Sequence, residues 1–297
     1  LLRRRGFRPR HGHAAGAGRM MGKWMVDGRE SRTVGVEDRG LAYGDGLFET
    51  IAVRGRRCRF LAEHLQRLMD GCERLRIPPP DQAILASEAA GLAKDCDHGA
   101  LKIIVTRGTG PRGYAAPGNP RPLRVLGLEH TEPGRPEHVQ LGVRVRYCAM
   151  PIGRNPALAG LKTLNRLEQV IARSEWTDPE IQEGLMLDGR CCVTCGTMTN
   201  LFLVSDNALL TPVLAEAGVA GIMRSKIIDE ARSAGIDTRE LAISTDDVAN
   251  AAEVFLSNAL IGIWPVREID GKDYARGPVT LKIMRALRAI GIKECEA

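Results

Sequence analysis

The stretch Thr131–His138, TEPGRPEH, divides the chain, and its reading decides the fold. It is polar, holds two prolines and shows neither the two-residue period of a strand nor the 3.6-residue period of a helix, so it reads as a linker. Before it, WMVDGRESRTVGVEDRGLAYGDGLFETIAVRGRRCRF (24–60) reads as strands broken by Asp-Gly and Arg-Gly turns. In LAEHLQRLMDGCERLRI (61–77) apolar residues recur every three or four positions until Pro78-Pro79-Pro80, which predicts a helix. A second helix is expected over 81–94. ALKIIVTRG (100–108) and LRVLGLEH (123–130) read as buried strands flanking the long loop GTGPRGYAAPGNPRP (108–122). After the linker, VQLGVRVRYCAM reads as a strand and LNRLEQVIARSEW as a helix. Short strands are expected at 184–188, 192–195, 200–204 and 208–211, then a helix from 221. Strands at 253–257 and 263–266 precede a helix from 278. Strands mixed with helices on both sides of a linker give a mixed α/β (α+β) fold of two domains, 21–134 and 135–297.

The chain of 297 residues is long enough for two cores. Residues 1–20 hold six arginines and no acid, which accounts for the whole formal charge of +6. That segment reads as a disordered basic leader, with Met20, Met21 and Met25 as candidate starts. The uncharged balance of the body argues against nucleic acid as a partner, and apolar runs are too short for a membrane span. Eight cysteines without a dense framework suit a reduced, cytoplasmic protein. In RCCVTCGTMTNLFLV (190–204), Cys191, Cys192 and Cys195 lack a fourth ligand at zinc spacing, and Cys192 does not open a helix that would stabilise a thiolate, so no metal is expected.

AEAGVAGIMRSKIIDEA offers a phosphate site: Gly218 and Gly221 permit a tight turn, and helical periodicity follows at once, placing the amides of Ile222 and Met223 at a helix N-terminus. A glycine turn before any helix is the plainer alternative. Lys162, in PALAGLKTLNRLEQV, follows an apolar approach. A lysine held among apolar groups has a lowered pKa and suits Schiff-base chemistry, though such lysines are commonly solvated stems. Together the two features suggest pyridoxal 5'-phosphate (PLP). Arg107 and Arg112, in RGTGPRGY, could present guanidinium forks to a dicarboxylate or simply be solvated. His64 reads as a packing residue, and His98 and His138 as loop residues.

RGLAYGDGLFET (39–50), FLAEHLQRL (60–68), VTRGTGPRGYAAP (105–117), GRNPALAGLKTLNRLEQVIAR (153–173), GTMTNLF (196–202), AGVAGIMR (217–224) and SNALIGIWPV (257–266) occur in the order seen in class IV, fold-type IV, PLP-dependent enzymes, with the D-amino acid aminotransferase-like fold. The chain resembles that family over about 24–290, and within it looks most like the aminodeoxychorismate lyases; branched-chain and D-amino acid aminotransferases are the alternatives. The resemblance implies that Lys162 carries PLP as a Schiff base and shuttles the proton. It implies that Arg67, the amides of Gly221, Ile222 and Met223, and Ser257, Asn258 and Ala259 hold the phosphate, and that Arg107 binds substrate carboxylate. It further implies a homodimer with the active site between the domains, converting 4-amino-4-deoxychorismate to 4-aminobenzoate, a folate precursor, and pyruvate. One position departs from the pattern. Cys195 stands where the family has a glutamate against the pyridine nitrogen, and a thiol cannot keep that nitrogen protonated as a carboxylate does. Glu183 and Asp188 lie nearby in sequence without a motif that moves the role to either. The departure raises a further alternative, a PLP-binding homologue impaired in catalysis.

Overall fold

The computed structural model describes residues 22–296, so the leader read at 1–20 lies outside the described residues. The first half runs β1 (Lys23–Val26), β2 (Arg29–Glu30), α1 (Arg39–Tyr43), β3 (Gly46–Arg54), β4 (Arg57–Cys58), α2 (Leu61–Arg74), α3 (Gln82–Ala93), β5 (His98–Thr106) and β6 (Leu123–His130). Its antiparallel sheet has the order β2-β1-β6-β5-β3-β4. Alternation sends Leu47, Ile51 and Val53 of β3 and Leu101, Ile103 and Val105 of β5 to one face. There they meet Leu65, Leu68 and Cys72 of α2 and Leu85 and Ala89 of α3. Each of the leucines, isoleucines and valines contributes about 1.5–3 kcal/mol by leaving water.

The second half runs α4 (Pro136–Gln140), β7 (Val143–Tyr147), α5 (Leu167–Arg173), β8 (Ile181–Leu187), β9 (Val193–Gly196), β10 (Asn200–Ser205), β11 (Ala208–Pro212), α6 (Ile222–Ser233), β12 (Thr238–Leu241), α7 (Thr245–Asn250), β13 (Glu253–Asn258), β14 (Gly262–Ile269), β15 (Lys272–Asp273) and α8 (Pro278–Ala289). Its sheet has the order β12-β11-β10-β13-β14-β7-β8-β9, with β15 beside β14. Stacked Phe202 and Phe255 pack with Ile227 of α6 and Ile283 of α8, while Val145, Leu185, Leu201 and Leu256 form a separate apolar cluster with Val248 of α7. Among the described residues, no helix is long and apolar enough to cross a membrane.

Several local expectations are corrected. RGLAY, read as part of a strand region, is the short helix α1, because Asp38 caps its first amides and Gly44 closes it at φ +66°. The linker's last three residues enter α4, which Pro136 starts from a position where its missing N–H costs nothing, and Val139 belongs to that helix and not to a strand. His138 therefore sits in α4 and His98 opens β5; neither is a loop residue. The helix expected over 164–176 is limited to α5, since Leu164 N donates to Gly46 O and keeps that end extended. β12 and α7 are additional elements.

The chain's last segment joins the two sheets. Glu294 accepts from Arg54 Nε (2.5 Å) and Arg59 Nη1 (2.6 Å), and the same arginines donate to Leu260 O and Ala259 O. Burial raises the Glu294 carboxyl, but Arg59 and Arg54 pull it below the ordinary glutamate value, so its contribution to stability is present at neutral pH and lost as the solution is acidified through the carboxylate range. Glu294→Gln is expected to cost about 2 kcal/mol at neutral pH. Thermal unfolding at pH 7 and below pH 4 checks this: the gap between wild type and variant should narrow in acid.

Candidate active site

Residues 160–164 form a short extended segment that touches both halves of the molecule. Gly160 N donates to Gly218 O and Gly160 O accepts from Ala220 N (3.0 Å each), while on the other side Phe48 N donates to Lys162 O (2.9 Å). Lys162 is thereby held between β3 and the loop that leads into α6. Its Nζ lies 4.3 Å from the centroid of the Phe48 ring. Burial, then the nearby Arg67 charge, pull its ammonium down to about 8. About a tenth of the amine is therefore unprotonated at pH 7, far more than for an ordinary lysine, as a nucleophile requires.

The α6 loop is shaped for close approach. Gly218 has φ +87°, and a Cβ on Gly221 would collide with Asn200 Oδ1. Asn200 Nδ2 ties the loop down through Val219 O (2.9 Å). Gly221 has extended backbone and caps α6 without a side chain, so the first amides of a twelve-residue helix, at Ile222 and Met223, have no intrahelical acceptor. Ser257 pairs with Asn200 across β13 and β10, and its buried Oγ has no hydrogen-bond partner. Asn258 Oδ1 accepts from Leu260 N and Ile261 N and shapes the turn after β13.

Arg67 reaches the same loop from α2, with Nη1 donating to Ala220 O (2.6 Å). Its Nε and Nη2 lie on Glu49 Oε1 (2.8 Å) and Oε2 (2.5 Å), and His64 Nδ1 is 2.6 Å from that second oxygen. At the C-terminal end of the same helix, Arg74 donates to Ala157 O and Ala159 O and steadies the approach to Lys162. Glu49 and Arg74 were not singled out in the sequence. Glu49 carries a signal, a carboxylate at an inward position of an otherwise apolar face; Arg74 carries none, being one more charged residue on a helix.

Arg107 is buried and largely committed. Its Nε and Nη2 clasp Asp45 (2.8 and 3.1 Å), Nη2 also donates to Leu75 O, and Nη1 to Arg76 O (2.6 Å). One Nη1 proton is left over. Asp45 also accepts from Arg39, whose other nitrogens hold Gly113 O and Tyr114 O of the glycine-rich loop. Burial raises the Asp45 carboxyl, and Arg107 and Arg39 bring it below its ordinary value. Arg112 is exposed on that loop.

Cys195 lies in β9 opposite Met186, fully within the protein. Burial, reinforced by the Glu183 charge, pushes its thiol up to about 12, so it is neutral. Arg166 is its cationic neighbour, held by Nε and Nη2 on Thr163 O and Oγ1. Glu183 has no spare capacity to replace a carboxylate at position 195. Its two oxygens accept from Gly184 N, Thr197 N, Thr197 Oγ1, Met198 N and Thr199 Oγ1, which folds the GTMT turn around it. Cys191 is an exposed turn residue at φ +62°. Among the described residues no group of His, Cys, Asp and Glu could hold a metal ion.

These features fit PLP in three respects: an amine of lowered pKa, a glycine-lined helix N-terminus with a guanidinium beside it, and an orphaned buried hydroxyl. The expected pairing for the ring nitrogen is missing at Cys195. Comparison with known proteins agrees with the fit. The family model for amino-transferase class IV matches residues 46–269. An aminodeoxychorismate lyase from Vibrio harveyi is 32% identical over 268 residues, covering 88% of this chain and 97% of that protein. The crystal structure of 4-amino-4-deoxychorismate lyase from Pseudomonas aeruginosa is 45% identical with a TM-score of 0.86, over 90% of this chain and 98% of that one. The branched-chain amino acid aminotransferase of Escherichia coli is 25% identical with a TM-score of 0.83, over 92% of this chain and 96% of that one. With this match spanning the segment that holds Lys162 and the phosphate-type loop, the chain belongs to the class IV aminotransferase family of PLP-dependent enzymes.

Proposed function

We propose that the protein is an aminodeoxychorismate lyase, converting 4-amino-4-deoxychorismate to 4-aminobenzoate and pyruvate and so supplying a folate precursor. The observation that carries the reading is the placement of Lys162, its amine brought down to about 8, against the Arg67 and α6 anion cradle. The 32% and 45% identity to lyases supports the choice within the family. When bound, PLP supplies an aldehyde for amines and a ring that accepts electrons. Arg67, the Gly221, Ile222 and Met223 amides and the Ser257 hydroxyl would hold its phosphate, with Asn258 fixing the adjoining turn and Ala259 lying within it. With PLP bound, the Lys162 amine would take the proton from the ring carbon that bears the substrate nitrogen. The enolpyruvyl oxygen on the neighbouring carbon would then leave with its bonding pair, the ring would become aromatic, and the proton held by Lys162 would pass to the enolpyruvate methylene carbon to give pyruvate. The remaining Nη1 proton of Arg107 is its one direct donor for a substrate carboxylate, while its ion pair with Asp45 fixes the floor beneath.

Two further parts belong to the same reading. The chain divides at 134/135, with the site between the halves, in a reduced cytoplasmic setting that its eight free cysteines suit. It forms a homodimer, supported by an apolar face on α5, where Leu167, Val170 and Ile171 are 69%, 59% and 44% exposed. Sedimentation should give twice the chain mass of 32.3 kDa; a monomer at micromolar concentration would contradict the dimer.

Cys195 favours a second reading, a PLP-binding homologue with little turnover, because a neutral thiol leaves the ring nitrogen without an ionic partner. Incubation with 4-amino-4-deoxychorismate separates the possibilities. Pyruvate release lost in Lys162→Ala indicates the lyase, keto-acid-dependent amino transfer indicates an aminotransferase, and silence indicates the second reading. Cys195→Glu would place a carboxylate beside Arg166 and is expected to raise transamination more than elimination, which aromatisation already drives. If neither rate rises, the assignment of Cys195 to the electron sink is wrong.

A further inference from the structure

β3 buries one face, and on that face Leu47, Ile51 and Val53 belong to the apolar core. Glu49 lies among them at 1% exposure, where alternation calls for an apolar side chain. A carboxylate so placed is tolerable only if it is paired and hydrogen-bonded. It is: Arg67 grips both oxygens, and His64, itself 1% exposed, adds a third contact. Burial raises the Glu49 carboxyl, and His64 and Arg67 overcome that and leave it below its ordinary value. His64 is held down by burial, so it is neutral and donates from Nδ1, leaving a buried Nε2 without a partner.

The neighbouring residue, Phe48, carries Lys162 against its ring and bonds to the Lys162 carbonyl. The charges acting on the amine come from four elements: Arg67 on α2, Glu49 on β3, Arg166 just before α5 and Lys102 on β5. Three are cations that disfavour a further positive charge, and Glu49 is the anion among them. We propose that Glu49 is a positioning residue of this site: it fixes the Arg67 guanidinium between α2 and the α6 loop for a cofactor phosphate, and its charge offsets that of Arg67 at Lys162. The first half rests on the PLP reading above; the second concerns the protein alone.

The geometry explains why the pairing matters. With Nε and Nη2 on one carboxylate and Nη1 on Ala220 O, all three guanidinium nitrogens are tethered and the plane of the fork is set. Each Nη keeps one proton uncommitted, which is what an incoming phosphate oxygen needs. Without the carboxylate, Arg67 stays beside Lys162 but keeps one carbonyl partner, Ala220 O, and the plane of its fork is no longer set.

Competitive acylation of Lys162 across pH, read by mass spectrometry on cofactor-free protein, tests the electrostatic half. Wild type should titrate near 8. Glu49→Gln should titrate lower, with the neutral fraction at pH 7 rising several-fold, and Glu49→Asp, which keeps the charge, should stay near wild type. Equal titration in Glu49→Gln and wild type would overturn the proposal, as would equal shifts in both variants. If Glu49→Gln does not fold, Arg67→Gln is read for the opposite sign, and an unmoved Lys162 there also overturns it. For the positioning half, inorganic phosphate and PLP binding should each weaken roughly tenfold in Glu49→Gln, the loss expected when one charge-assisted contact goes; binding that is unchanged or tighter contradicts it. Should the PLP reading itself be wrong, wild type will bind neither, while the acylation comparison still decides the role of Glu49.

Discussion

The backbone hydrogen bonds of residues 160–164, to β3 on one side and to the α6 loop on the other, are the constraint on which the site depends. Lys162 has a four-carbon stem, and a flexible loop would let it reach water and keep its charge. Held between β3 and the α6 loop and laid on Phe48, it stays within the protein, where burial favours the neutral amine. Arg67 and Arg74, seven residues apart on α2, close the arrangement, one on Ala220 O and the other on Ala157 O and Ala159 O. The cradle and the amine are thus parts of one hydrogen-bonded unit.

Charge within that unit is balanced in pairs. Glu49 answers Arg67, Asp45 answers Arg39 and Arg107, and Glu294 answers Arg54 and Arg59. Arg166 stands apart. Its neighbour at position 195 is a thiol pushed up to about 12, and Glu183 is consumed by the GTMT turn. Arg166 donates to Thr163 O and Oγ1, with the Glu168 charge acting on it, and meets no carboxylate at position 195.

Much of this was legible in the sequence because the signals were local. Gly218 and Gly221 followed immediately by helical periodicity announced the α6 N-terminus, and the apolar approach PALAGL announced Lys162. The two-sheet division followed from the polar stretch at 131–138, even though its end turns out to start α4. What escaped was set by tertiary contact. Leu164 reads as helical until β3 is there to bond it, and RGLAY reads as strand unless Asp38 and Gly44 are weighed as caps. Arg107 reads as a free fork in a glycine-rich loop, and only the fold shows Asp45 and two carbonyls already occupying it. Glu49 was readable in principle, since a charge on the inward face of GLFETIAVR requires a buried partner, and HLQR at the start of α2 supplies it through His64 and Arg67.

The central claim is that Lys162 is the amine that carries the cofactor. Reductive trapping of bound pyridoxal phosphate, followed by peptide mapping, tests it most directly. The account predicts a single added mass on the peptide containing Lys162 and none in Lys162→Ala. A label on Lys102, the other lysine lying over the Phe48 ring, would contradict it.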